Sequence, residues 1–162
     1  MTLEEFDVQL MAIKNGPTAK RPIFVWTGTK TELEELIKGL DIHYEDMVLS
    51  LSSKNNSLSD HPKIIQSYLN KMCRTYQESR QEPSIMIIDN AILLARYACD
   101  LSVLFKFVVS PRSAVVLIFP QESRRDFPIR TETWVTRNTM SIIRHIAKQL
   151  GDTNCIIDIG GK

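Results

Sequence analysis

Residues 85–89 read Ile85-Met86-Ile87-Ile88-Asp89, four apolar side chains closed by a carboxylate, with Pro83 two positions upstream. A short apolar run rich in β-branched residues and bounded by a proline reads as a strand buried on both faces. The same pattern recurs in Ile23-Phe24-Val25-Trp26 after Pro22 and in Ala114-Val115-Val116-Leu117-Ile118-Phe119 after Pro111-Arg112. It recurs again in Cys155-Ile156-Ile157-Asp158-Ile159 after Gly151. Met47-Val48-Leu49-Ser50-Leu51 is read as the remaining strand, second in chain order.

Helical spacing fills the gaps. Thr2 and Glu5 have capping-box spacing ahead of Leu3, Phe6, Leu10 and Ile13, and Asn15-Gly16-Pro17 ends that helix. Leu33, Leu36, Ile37 and Leu40 predict a second helix. Asp60 is the expected cap of a third, which carries Ile65, Leu69, Met72 and Tyr76 and runs to about Ser79. Helices are further predicted from Ala91 to about Phe107 and from about Glu132 to Leu150, with polar loops at Ser52–Ser59 and Pro120–Arg130. Strands alternating with helices predict an α/β fold of three layers, with a mainly parallel sheet of about five strands covered on both sides. Ligands in such sheets bind at the carboxyl ends of the strands, near the point where strand order reverses.

The chain has 162 residues, 43% hydrophobic and 24% charged, with a net charge of +1, which suits one domain over residues 1–162. Near-neutrality excludes a strongly basic coat but not a local basic patch. Cys73, Cys99 and Cys155 are scattered, so buried reduced thiols in a cytoplasmic protein are expected rather than a disulfide framework or zinc site. The chain holds no long apolar run for a membrane span, and its acidic start, Glu4, Glu5 and Asp7, is unlike a signal peptide. His43, His61 and His145 have no metal-ligand spacing, and no nucleophile elbow is present.

Two places carry candidate chemistry. Thr27-Gly28-Thr29-Lys30-Thr31 lies between a strand and a helix, where a phosphate-binding loop sits. In such a loop backbone N–H groups close around phosphate, a Lys reaches the terminal phosphates and a Ser or Thr holds magnesium. Gly28, Lys30 and Thr31 are the candidates, but the turn is too short to wrap a triphosphate in the usual way. A helix-capping turn is the plainer account and residual nucleotide binding the alternative. Asp89 is the second place, positioned as the carboxylate that sits beside magnesium in P-loop proteins. In hydrolysing members with an added central strand a Glu often follows; here Asn90 follows, and an amide cannot act as general base. Asp89 is thus a metal candidate or simply a helix cap. Arg112 and Gln121 flank the fourth strand and are expected at the same edge as Asp89, where Arg112 is a candidate to touch a nucleotide phosphate or a partner carboxylate, a solvated loop arginine being the plainer account. Arg124, Arg125, Phe127, Arg130, Trp134 and Arg137 have the residue types of a protein or DNA contact, diluted by Glu122, Asp126 and Glu132.

Over residues 2–120 this layout resembles the BrxF family, the small P-loop proteins of BREX phage-defence systems. The resemblance rests on Thr2-Leu3-Glu4-Glu5, the Ile23–Trp26 strand, Lys30-Thr31 and Val48-Leu49-Ser50-Leu51-Ser52. It rests also on Ile87-Ile88-Asp89-Asn90 with Ile92-Leu93-Leu94, and on Ser110 and Arg112. It implies a P-loop NTPase-like fold of the RecA/AAA-like type and a bacterial cytoplasmic component of a multiprotein defence system. The Gly-rich loop of that family is degenerate here. The expectation is therefore a non-hydrolysing, pseudo-ATPase scaffold without cofactor that binds other protein subunits, its own copies included. The alternatives are an ATP- and magnesium-binding ATPase with an unorthodox loop, and a DNA-binding accessory.

Overall fold

The computed structural model describes residues 1–16, 22–47, 61–108, 110–119, 143–151 and 155–157. Five strands form one sheet: β1 (Ile23–Trp26), β2 (Asp41–Asp46), β3 (Ser84–Asp89), β4 (Ser113–Ile118) and β5 (Ile156–Ile157). All pairings are parallel and the spatial order is β2-β3-β4-β1-β5. The helices are α1 (Leu3–Asn15), α2 (Lys30–Leu36), α3 (His61–Ser79), α4 (Ile92–Arg96), α5 (Ser102–Phe107) and α6 (143–149).

Successive strand residues point to opposite faces, so every apolar central strand feeds two cores. On one face Phe24, Trp26, Ile85, Ile87 and Val116 pack against Phe6, Leu10 and Ile13 of α1 and Leu33 of α2. The Phe6 ring meets Phe24 edge-on at 4.9 Å. On the other face Val25, Met86, Ile88, Val115 and Leu117 pack against α3, α5 and α6 through Leu69, Leu104 and Ile146. Each such side chain is worth about 1.5–3 kcal/mol when fully buried, which is why both helical layers stay on the sheet. Cys73 and Cys99 lie in the second core, where burial pushes the thiols up to about 12 and about 11, respectively. They are therefore protonated and inert at neutral pH.

Local signals set the helix ends. The Thr2–Glu5 box forms in full, and Gly16 closes α1 in the left-handed region at φ 101°. Leu3 is 40% exposed, so the buried stripe of α1 starts at Phe6.

Three expectations need correcting. The second strand is Asp41–Asp46, and Met47 is already helical; residues 48–51 of the expected strand lie outside the described residues, as does Asp60. An edge strand needs no continuous apolar run where its faces are incompletely covered: in β2 Ile42 is exposed and the other five residues are only half-buried. In β2 the polar side chains find partners instead: Asp41 with His43 at 2.9 Å, Tyr44 with Asp89, and Glu45 with Tyr68 at 2.8 Å. The helix expected over 91–107 is two short helices. Between them Ala98 has φ 49°, Asp100 caps the Ser102 N–H at 2.9 Å, and Gln66 of α3 holds the Asp100 N–H at 2.7 Å. Side-chain bonds thus replace helical ones at that break. Arg112 lies at the amino edge of the sheet, opposite Asp89. Its guanidinium donates to the Lys14 carbonyl at 2.9 Å and the Ile13 carbonyl at 3.5 Å, closing the last turn of α1.

At that amino edge sits a buried polar cluster with no sequence motif. Tyr76 Oη lies 2.6 Å from both Ser84 Oγ and Ser113 Oγ, and the two serine oxygens are 2.8 Å apart. Arg80 donates to the Val108 carbonyl at 2.6 Å beside them. The cluster ties α3 to the first residues of β3 and β4. Tyr76→Phe removes two of these bonds while leaving the serines paired, and is expected to lower unfolding stability by about 1 kcal/mol in a urea titration. Asp41 gives a pH signature. The Gln81 N–H and then His43 hold its carboxyl below the usual value of 3.8. Its contribution is present above that value and lost as pH falls through the folded-state pKa. Asp41→Asn should therefore flatten the acid limb of stability against pH, measured by thermal melts between neutral pH and about pH 3.

Candidate functional site

The connection leaving β1 runs to α2 on one face, and that leaving β4 returns by α6 on the other. The strand order therefore reverses between β1 and β4, which are adjacent. The carboxyl ends of β1, β4 and β3 form the edge where this architecture places ligands.

The β1–α2 turn comprises Thr27, Gly28 and Thr29. Trp26 is 1% exposed, and its indole N–H donates to the Thr29 carbonyl at 2.9 Å, drawing the turn back over the strand. Thr27 is buried against β5, its hydroxyl 3.4 Å from the Ile157 carbonyl. Thr29 is the N-cap of α2. Its hydroxyl accepts from the Glu32 N–H at 3.3 Å, and Glu32 Oε2 accepts from the Thr29 N–H at 2.9 Å and the Thr29 hydroxyl at 2.8 Å. A carboxylate of the chain itself thus occupies the start of the helix, the position that favours bound anions. The Thr29 N–H and then its hydroxyl hold the Glu32 carboxyl below the usual range, so it stays ionised at neutral pH.

Lys30 and Thr31 are the first two residues of α2. The Lys30 ammonium does not point into the turn. It lies 3.7 Å over the centre of the Tyr44 ring and 3.6 Å from Glu34 Oε1. The Tyr44 hydroxyl in turn donates to Asp89 Oδ2. The other oxygen, Asp89 Oδ1, accepts from the Asn90 N–H at 2.7 Å. Asn90 takes up the left-handed conformation at φ 54°, and its side-chain amide donates to Asp46 Oδ1 at 2.9 Å. Burial first, and then the bond to Asp89, push the Tyr44 hydroxyl well above its ordinary value, so it remains a proton donor.

Lys30 and Asp89, the expected phosphate and magnesium residues, are therefore brought near one another, but with Tyr44 between them. Glu32 engages the helix start, Glu34 and the Tyr44 ring engage Lys30, and each oxygen of Asp89 accepts a hydrogen bond. Among the described residues, no three His, Cys, Asp or Glu side chains converge as a metal site. No described helix is long and apolar enough to cross a membrane. Gln121, Arg124, Arg125, Phe127, Arg130, Trp134 and Arg137 lie outside the described residues.

Glu32 and Tyr44 are the residues of this arrangement that the sequence reading does not single out. Glu32 was legible, since Thr29-x-x-Glu32 has capping-box spacing. Tyr44 was not, because its strand was placed six residues too far along the chain. The sequence matches no protein-family model and no curated protein.

The cap can be tested alone. Thr29→Ala removes the hydroxyl on which Glu32 turns, and should lower stability by about 1 kcal/mol in urea unfolding. Thr29→Ser should retain most of it.

Proposed function

We propose that this chain is a non-hydrolysing, P-loop-like scaffold that works by binding partner proteins within a larger assembly. One observation carries the reading: the Glu32 carboxylate fills the anion position at the start of α2. An ionised carboxylate there opposes a phosphate both by occupying the N–H donor of Thr29 and by like-charge repulsion. Tyr44 adds to this by engaging Asp89, the residue that a nucleotide-bound magnesium would need. Asn90 after Asp89 leaves no general base at that place. The all-parallel five-stranded sheet, with β4 between β1 and β3, is compatible with the frame of such enzymes. A scaffold that retains the frame and loses the phosphate contacts has its surfaces left to work with. A bacterial assembly such as anti-phage defence is the setting that the resemblance to the BrxF family suggests.

The test is calorimetric titration of the purified chain with ATP, ADP and GTP in the presence of magnesium, beside Lys30→Ala. No saturable heat at millimolar nucleotide is expected from either protein. Saturable binding that Lys30→Ala abolishes would sink the scaffold reading and point to an ATPase whose missing base comes from a partner.

A further inference from the structure

The near-neutral net charge conceals a division of charge between the two helical layers. The layer of α1 and α2 carries six carboxylates, among them Glu4, Glu5 and Asp7, against two ammonium groups, Lys14 and Lys30. The layer of α3, α4, α5 and α6 has the opposite balance. On α3, Lys63, Lys71 and Arg74 face one carboxylate, Glu78. Arg96 of α4, Lys106 of α5, and Arg144 and Lys148 of α6 bring the exposed cations of this layer to seven among the described residues, whose helices add no further carboxylate. The linker carboxylate Asp100 is engaged with the Ser102 N–H. None of the seven makes an ion pair among the described residues.

The cations are also arranged. Lys63, Lys71 and Arg74 fall within an arc of about 80° on α3, and Lys63 to Arg74 spans about 16 Å of helix. Arg74 and Lys106, from neighbouring helices, converge on the Phe107 ring at 5.4 and 5.1 Å. Beside them Phe105 is 48% exposed, an apolar ring among unpaired cations.

We infer that the α3–α5–α6 face binds the phosphate backbone of double-stranded DNA without reading its sequence. Long, unpaired Lys and Arg side chains spread over a helical layer suit a regular line of phosphates. The row on α3 matches about five base-pair steps of duplex. An acidic protein offers its carboxylates at irregular spacing and usually adds an apolar core, for which the described residues of this face offer only Phe105 among large exposed hydrophobics. The acidic α1–α2 layer lies on the far side of the sheet and turns away from DNA. This inference goes beyond the scaffold reading and does not depend on it, since the assay contains no nucleotide.

The experiment is fluorescence anisotropy of a labelled random-sequence DNA duplex with the full-length chain at rising salt. Binding is expected at low salt, and with about three phosphate contacts the affinity should fall roughly 40-fold as salt rises fourfold. The charge reversal Arg74→Glu with Lys106→Glu should weaken binding at least about tenfold and flatten the salt slope. Lys14→Glu, on the other layer, should leave both unchanged. Arg74 and Lys106 are exposed, Lys14 is half-buried with its ammonium on the Leu36 carbonyl, and a melting curve confirms that each variant is folded. Three results would overturn the inference: no binding at low salt, binding lost in Arg124→Ala/Arg125→Ala yet kept in the α3–α5 reversal, or equal competition by polyglutamate, which marks an acidic protein as the partner.

Discussion

Ile85–Ile88 and Ala114–Ile118 lie side by side in parallel register, with both faces of each strand apolar. A sheet of that kind cannot leave either side in water, and parallel strands need a crossover between them. The two requirements are met by the same helices. From β2 to β3, to β4 and on to β5 the crossovers lie on one face, and the single crossover in the opposite sense, β1 to β2, lies on the other. The place where strand order reverses, and with it the candidate site, follows from that division.

What occupies the site is decided by local competition for a few polar groups. The α2 helix starts immediately after a three-residue turn, so its first N–H groups are close to the strand ends, where an anion would be welcome. The chain supplies its own anion through the Thr29–Glu32 box. Tyr44 does the corresponding thing for the opposite charge: its ring lies under the Lys30 ammonium and its hydroxyl on Asp89. The two groups that the motif would turn toward nucleotide thereby become part of the packing between α2, β2 and β3.

The two helical layers differ in more than position. The layer on α1 and α2 is acidic, and the layer on α3 to α6 is basic, because polar faces are free to differ wherever only the buried stripe is constrained by packing. Net charge averages over the division and so hides it. The buried Tyr76–Ser84–Ser113 cluster contributes a separate restraint, since three hydroxyl groups can all be satisfied only when α3 sits over the first residues of β3 and β4.

Much of this was legible in the chain. Apolar runs of four to six residues marked β1, β3 and β4, because burial on both faces leaves no room for polar alternation. Thr2-x-x-Glu5 and Gly16 marked the ends of α1, because those bonds are closed within one turn. β2 was not legible: Asp-Ile-His-Tyr-Glu-Asp has the composition of a surface segment and becomes a strand only because β3 offers a ladder and Asp89, Tyr68 and Asn90 offer side-chain partners. The break after α4 likewise depends on Gln66, from a helix some thirty residues earlier. The expected neighbourhood of Arg112 and Asp89 failed for a related reason. In a parallel strand the residue before it and the residue after it lie at opposite edges of the sheet. The sequence by itself determined which segments must be buried and where helices begin, since those depend on composition and on contacts within a turn. Tertiary structure alone decided the edge strand, the plugging of Asp89 by Tyr44 and the gathering of cations on one face, since these join residues that only packing brings together.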